Sequence, residues 1–405
     1  MVMRAIYLSF LFVFTAILSG KAQNCDCKTS LNEFAEKYKQ TISYKQQTKD
    51  RKVEEAYTAK LNVLLAEVDS NTSHWECFIK ITDLKDVIRD EHSRVRGTGI
   101  SDTINIKDSK FFKNLPRYKG DLNLLQSELS KKSFQDVEGI YYSEGSTFGV
   151  VKDQDKYLGI LLKTQLDHWE PGMQFFELVP ALGDKFRISF IKSDFSLFAS
   201  SRAERVVNGR FVFYGIYKDK TQPYHYNAPE SDSLFYYKPL NKKVGYMRIA
   251  TFSWANDNVA VANKFIDDIF PNLEVNHLII DLRNNGGGTD QIGKPLRKAI
   301  KKYAKRNNIY VLVNGKSGSN AEQTTHFIGE LKNGTVLGDR SMGVIAYGLN
   351  YGDKISIGDD CYSFYLSDLK FNEFYEFESR GVPVDVLLNN NEDWIEQTLK
   401  YIENQ

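Results

Sequence analysis

The chain has 405 residues, with 53 lysines and arginines against 52 aspartates and glutamates and a formal net charge of +1. That balance, with both signs mixed along the chain, excludes a nucleic-acid surface and an acidic interaction tail. With 42% hydrophobic residues, 23 tyrosines and 26 phenylalanines, the sequence excludes a disordered chain and favours a strand-rich fold.

The N-terminus, Met1 to Gln23, reads as a secretory signal. Arg4 supplies the positive charge. The apolar stretch from Ala5 to Leu18 is too short, with the wrong flanks, for a membrane span. Gly20-Lys21-Ala22 offers small residues at the −3 and −1 positions, which places cleavage after Ala22 or one residue later. The expectation is an exported chain, periplasmic or secreted, with no stable membrane anchor after cleavage. No cysteine directly follows a lipobox-like run, since Cys25 lies too far on. The remaining 380 or so residues suffice for two or three domains.

Residues 23–115 read as a helical module. Ser30 is placed to cap a helix carrying Leu31, Phe34, Ala35 and Tyr38 at helical spacing. A second apolar series runs from Val53 to Val68, and a third segment, Phe78 to Ile88, carries the chain to His92. An exported chain can form disulfides, and Cys77 is a partner for either Cys25 or Cys27. Cys361 reads as a buried structural thiol. The spacing Cys25-Asp26-Cys27 is too tight for a zinc knuckle, so no metal is expected.

Residues 116–240 change character. The runs Gly139–Tyr142, Thr147–Val151, Tyr157–Leu162 and Phe186–Phe190 are short β-type segments separated by turns. Such spacing predicts a small antiparallel barrel or sandwich. Residues 241–405 alternate strand and helix. The predicted strands are Val244–Ile249, His277–Ile280, Ile309–Val313 and Thr335–Leu337. The predicted helices lie near Asp257–Phe270, Asp290–Lys305 and Asn320–Leu331, with a closing helix over Asn391–Ile402. That alternation implies an α/β layer with parallel strands.

Two turns in this last region carry chemistry. Asp281-Leu282-Arg283-Asn284-Asn285-Gly286-Gly287-Gly288 follows an apolar strand, and its glycines let main-chain N–H groups approach a ligand with no Cβ in the way. That suits an oxyanion hole. Lys316-Ser317-Gly318-Ser319-Asn320-Ala321-Glu322 then places a serine at a strand-to-helix turn. Ser319 with Glu322 also fits a capping box, and the glycines also fit a plain turn.

With Gly245–Ile249 and Phe252, Gly338-Asp339-Arg340-Ser341-Met342-Gly343 and Gly381-Val382-Pro383-Val384-Asp385, residues 244–390 resemble the catalytic core of a serine peptidase family. It is the family of the C-terminal processing (tail-specific) proteases and the tricorn core protease. The resemblance implies a crotonase-like αβ superhelical core, here with an N-terminal helical module and an inserted antiparallel β module. It implies a protein or peptide substrate, an acyl-enzyme mechanism and no cofactor. Many members carry a PDZ module, but no convincing PDZ carboxylate-binding loop is present here.

A serine hydroxyl needs a base. In the processing-protease branch it is a lysine after a Gly-x-x-Thr-x-Gly run, and here that position is Val344. Lys354 could substitute only by a different loop path. The tricorn-like branch uses an upstream histidine, and Asp90-Glu91-His92-Ser93 resembles its Asp-x-His-Ser/Thr run. The resemblance therefore implies Ser319 as nucleophile, His92 as base and Glu378 as the acid that orients it. The oxyanion donors would come from the Gly286, Gly287 and Gly288 turn and from Asn320. Glu91 stands where the branch has a second serine, which leaves Ser93 and Asp90 as alternative orienting groups. Ser317 is the next nucleophile and His326 the next base. Two rivals remain on the same fold: a noncatalytic ligand- or peptide-binding protein, and an acyl-CoA enzyme, which export disfavours.

Overall fold

The computed structural model describes residues 25–99, 106–200, 203–349 and 354–405. The signal-like segment lies outside them. Two sheets organise the chain.

The first is six-stranded, in the order Phe235–Pro239, Val244–Ile249, His277–Asp281, Asn308–Val313, Gly334–Gly338, Val386–Leu387. All its pairs are parallel except the first. In register, Tyr246 faces Ile279 and Ile279 faces Tyr310, while Met247, Ile280 and Val311 form the adjacent row. Because side chains alternate across a strand, these rows point to opposite faces. Met247, Ile280 and Val311 pack with Ile292, Leu296 and Ile328 of the helices Asp290–Tyr303 and Asn320–Gly329. Tyr246, Ile279 and Leu312 pack with Trp394 and Ile402 of the closing helix Trp394–Glu403. Both faces are covered, which is why these strands read as continuous apolar runs.

The second sheet is nine-stranded and antiparallel. It runs from Lys354–Ile357 through Tyr362–Tyr365, Val95–Gly97, Leu197–Ala199, Phe186–Ile191, Gln174–Pro180, Lys156–Thr164 and Ser146–Asp153 to Gly139–Ser143. Among the described residues no pairing joins its two edges, so it is an open sheet rather than the barrel or sandwich expected. Its composition also departs from the expected boundaries. Strands from before residue 116 and after residue 241 complete it, because an interior strand such as Leu197–Ala199 needs a partner on each side.

The helices Cys27–Tyr38, Arg51–Ala66 and His74–Lys85 share one core with this sheet, where Phe34 and Tyr38 meet Phe364. Helical module and β module are therefore one layer pair. The first helix starts earlier than expected. Asp26 caps it, accepting from the Thr29 N–H at 2.8 Å, and Ser30 is buried inside it. Two disulfides fasten the layer, Cys27–Cys77 and Cys25–Cys361. Cys361 is thus a disulfide partner and not the free thiol expected, since Cys25, just ahead of the first helix, meets the turn that precedes Tyr362–Tyr365. Among the described residues no helix is long and apolar enough to cross a membrane.

Candidate active site

The strand His277–Asp281 ends in a carboxylate with no solvent exposure. The Tyr246 hydroxyl donates to Asp281 at 2.8 Å and the Arg283 guanidinium pairs with it at 2.7 Å. Burial alone would raise this carboxyl; Arg283, with Arg248 and Tyr246, outweighs it and holds Asp281 below its usual range. Arg283 also donates to the carbonyls of His225 and Asn227 at 3.0 and 3.1 Å and lies over the Trp394 ring. The Asp-Leu-Arg part of the motif is therefore an anchor, and the candidate oxyanion donors come after it.

The glycine turn is built by contact. Asn285 donates its side-chain amide to the Ile249 carbonyl at 3.0 Å and accepts the Gly287 N–H at 2.9 Å. Gly287 has φ +91°, and a Cβ there would lie 2.5 Å from Cβ of Ser319. Gly288 has φ +140°, and a Cβ there would run into the Phe252 carbonyl. At Gly286 a Cβ would meet nothing within 4 Å. The Gly287 N–H is thus engaged, whereas among the described residues no acceptor meets the N–H of Gly286, Gly288 or Asn320.

Ser319 stands between the strand Asn308–Val313 and the helix Asn320–Gly329 at φ 53° and ψ −122°. A residue with a Cβ held there costs on the order of 1–3 kcal/mol. Its N–H donates to the Val344 carbonyl at 2.9 Å and to Glu322 at 3.0 Å. Glu322 also accepts the Ser341 hydroxyl at 2.6 Å and the N–H groups of Gly343 and Val344 at 2.6 and 2.9 Å. Burial raises this carboxyl, and those donors pull it back. The expected capping glutamate is thus a knot between the serine turn and the Gly338–Gly343 loop. Ser317 is wholly buried, and its hydroxyl donates to the Leu282 carbonyl at 2.8 Å. It braces the two turns and is not presented to a substrate.

At the other side of the segment after Gly343, the ligating atoms of Asp90, His92 and Glu378 all lie within 4.8 Å of one another. His92 is partly buried and both carboxylates are wholly buried. Glu378 accepts the Glu91 N–H at 2.8 Å on one oxygen, and the N–H groups of Ile345 and Ala346 at 2.9 and 2.7 Å on the other. Burial, with the neighbouring Asp90 charge, pushes Glu378 up to about 8. Asp90 accepts the Ser367 hydroxyl at 2.8 Å and the His92 N–H at 3.1 Å. Ser93 turns away and donates to the Tyr365 carbonyl at 2.9 Å. Glu91, in the place of a second serine, accepts the Ser379 hydroxyl at 2.7 Å. Ser319 and Glu378 therefore grip consecutive residues, Val344 on one side and Ile345 and Ala346 on the other. Val344, at the lysine position, contributes its backbone.

The same three groups invite the question of a cation. Both Glu378 oxygens already accept backbone N–H groups and one Asp90 oxygen accepts hydrogen bonds, and the three residues together offer one ligand atom each. That falls short of the four ligands of a zinc site. Lys354 is exposed on an edge strand, opposite Tyr365. His326 lies against the rings of Phe374 and Phe377, at 5.5 and 5.0 Å. One further charged group at this centre carried no signal in the sequence: Lys185, which arrives from the nine-stranded sheet.

Residues 243–303 match the profile of peptidase family S41. None of the curated proteins matches the sequence. Among solved structures, mature CPAF is similar over 93% of this chain and 96% of its own, at 12% identity and a TM-score of 0.48. The photosystem II D1 C-terminal processing protease is similar over 92% and 96%, at 12% identity and a TM-score of 0.40. The tricorn protease is similar over 93% of this chain and 37% of its own, at 14% identity and a TM-score of 0.41. Likenesses this distant carry no argument about what this chain does. The matched segment spans the strands Val244–Ile249 and His277–Asp281 and the glycine turn itself. Residues 243–303 of this mixed α/β chain therefore match peptidase family S41, a family of serine-type peptidases.

Proposed function

We propose that this chain is an exported serine endopeptidase with a crotonase-like superhelical core, which hydrolyses peptide bonds through an acyl-enzyme on Ser319. One observation carries the reading: His92, Asp90 and Glu378 converge beside the short segment that also receives the Ser319 N–H.

Ser319 Oγ attacks the peptide carbonyl while His92 takes its proton. The imidazolium that forms lies beside the buried carboxyls of Asp90 and Glu378, and negative charge there favours it. Glu378 orients His92 and holds the segment over Ser319. The oxyanion is received by backbone N–H groups of the glycine turn and of Asn320. Because the Gly287 N–H is committed to Asn285, the donors are Asn320 with Gly286 or Gly288. Losing one such donor costs roughly 3 kcal/mol, or 10²–10³ in rate. His92 then protonates the leaving amine and water resolves the acyl-enzyme. Two disulfides, together with the signal-like N-terminus, support export.

The test is covalent labelling. A fluorophosphonate should modify Ser319, identified by peptide mass spectrometry, and Ser319→Ala should abolish both labelling and peptide hydrolysis. His92→Ala should abolish hydrolysis while Lys354→Ala retains it. The reverse pattern would overturn the assignment of the base. A wild type that neither labels nor cleaves any peptide pool would favour a noncatalytic binding protein on this fold.

A further inference from the structure

Lys185 is 4% exposed and has no solvent for its charge. It sits in the turn between the strands Gln174–Pro180 and Phe186–Ile191 of the nine-stranded sheet. Its ammonium donates to three main-chain carbonyls: Met342 at 2.8 Å, Ser379 at 3.0 Å and Arg380 at 3.1 Å. Among the described residues no carboxylate comes within ion-pairing distance of it, so its three protons are all spent on the backbone of two loops.

Those loops are the ones that hold the candidate site. Met342 is followed by Gly343 and Val344, whose N–H groups bind Glu322 and through it the Ser319 N–H. Ser379 follows Glu378, and its own N–H donates to the Gly343 carbonyl at 2.8 Å. The turn that delivers Lys185 is itself clamped. Arg205 pairs with Asp184 at 2.6 Å and with Asp339, at the start of the Met342 loop, at 2.6 Å.

We propose that Lys185 is a positioning residue of this site, whose ammonium ties the Ser319 loop to the Glu378 loop and so couples the nine-stranded sheet to catalysis. The inference rests on the peptidase reading for its catalytic half only. Geometry supplies the tie, and charge sets its range. Burial pulls Lys185 down to about 8; Glu322 and Glu91 oppose this from the serine helix and the His92 loop, Arg205 adds to it, and Asp184 opposes it from the same turn. Deprotonation would remove the charge and one of the three donors, and the two loops would lose their common anchor.

The experiment combines hydrogen exchange with acylation. In the wild type, amide protection at residues 343–346, corrected for intrinsic exchange, should fall about tenfold or more between pH 7 and pH 9.5, while the helix Asp290–Tyr303 is unchanged. Lys185→Met should show the low protection at both pH values. Its rate of Ser319 acylation should drop by about tenfold or more, with KM little changed and the alkaline decline of the wild type gone. Lys185→Gln, which keeps two N–H donors without the charge, should fall between the two. If Lys185→Met does not fold, the wild-type pH series and Lys185→Gln decide. Wild-type protection in the variants at pH 7, or a flat pH series, overturns the proposal. A wild type that never labels at Ser319 sinks the peptidase reading instead, and the exchange data still decide whether Lys185 ties the loops.

Discussion

At the scale of single residues, Ser319 holds a backbone conformation that suits glycine better than serine. Replacing it with glycine removes the Cβ that the geometry opposes. Ser319→Gly is therefore expected to raise stability by about 1 kcal/mol while kcat falls by about 10⁴ or more. Thermal denaturation beside a peptide assay checks both halves. Glu378→Gln should behave differently. Both Glu378 oxygens accept backbone N–H groups. A neutral carboxyl keeps a lone pair on each oxygen, but an amide nitrogen has none and would face a donor. A loss of about 1–3 kcal/mol is expected, together with loss of activity. Ser319, His92 and Glu378 could be nominated from the sequence because each sits in a short motif. Lys185 and Asp281 carried no such role there. A lone Asp-Lys pair in a turn looks like any solvated turn, and only the fold reveals which carbonyls surround it.

At the scale of elements, the segment from Glu204 to Phe213 is turned by one buried carboxylate. Glu204 accepts the N–H groups of Arg205 and Val212 at 2.8 and 2.7 Å on a single oxygen. Burial pushes its carboxyl up to about 7, against those donors. A group raised in the folded state gives stability that is complete below its unfolded value near 4.3 and is lost as pH rises through about 7. Glu204→Gln can keep its oxygen on the Arg205 and Val212 N–H groups without the charge, giving up only the long 3.3 Å contact of the second oxygen with the Phe213 N–H. The variant is expected to match the wild type near pH 5 and to exceed it by a few kcal/mol at pH 8. Melting curves at the two pH values test this, and equal differences at both would refute it. The α/β strands were readable since each is a continuous apolar run between glycine or polar turns. Val95–Gly97, Leu197–Ala199 and Tyr362–Tyr365 were not, because three or four residues show no period of their own and are strands only through their neighbours. The start of the first helix moved for a related reason: Asp26 and Ser30 are both good caps, and the disulfide at Cys27 places that residue inside the helix.

At the scale of the molecule, the Cys25–Cys361 disulfide joins positions 336 residues apart. By loop-closure entropy such a link is worth up to about 5 kcal/mol, less any compactness of the unfolded chain. Cys25→Ser with Cys361→Ser should lower the melting temperature more than any surface substitution. The site should survive at low temperature, because the backbone of Cys361 bonds to Thr98 and Gly358, in the nine-stranded layer and its turns. Protection of Tyr362–Tyr365 against hydrogen exchange should fall first. The order of modules along the sequence was legible. Their boundaries were not, since composition changes with sequence position whereas sheet membership is decided by pairing between distant segments.

That last strand pair has a temporal consequence. Tyr362–Tyr365 lies between Lys354–Ile357 and Val95–Gly97, so an early layer of the chain closes only with one of its last segments. A polypeptide emerging from the ribosome cannot finish that layer until some 270 further residues have followed, an interval of tens of seconds at ordinary rates of synthesis. Through that interval Val95–Gly97 keeps an open edge and the first helices lack part of their cover. Such a chain is slow to commit to a compact form. The layer stays incomplete until Tyr362–Tyr365 arrives and pairs with Val95–Gly97.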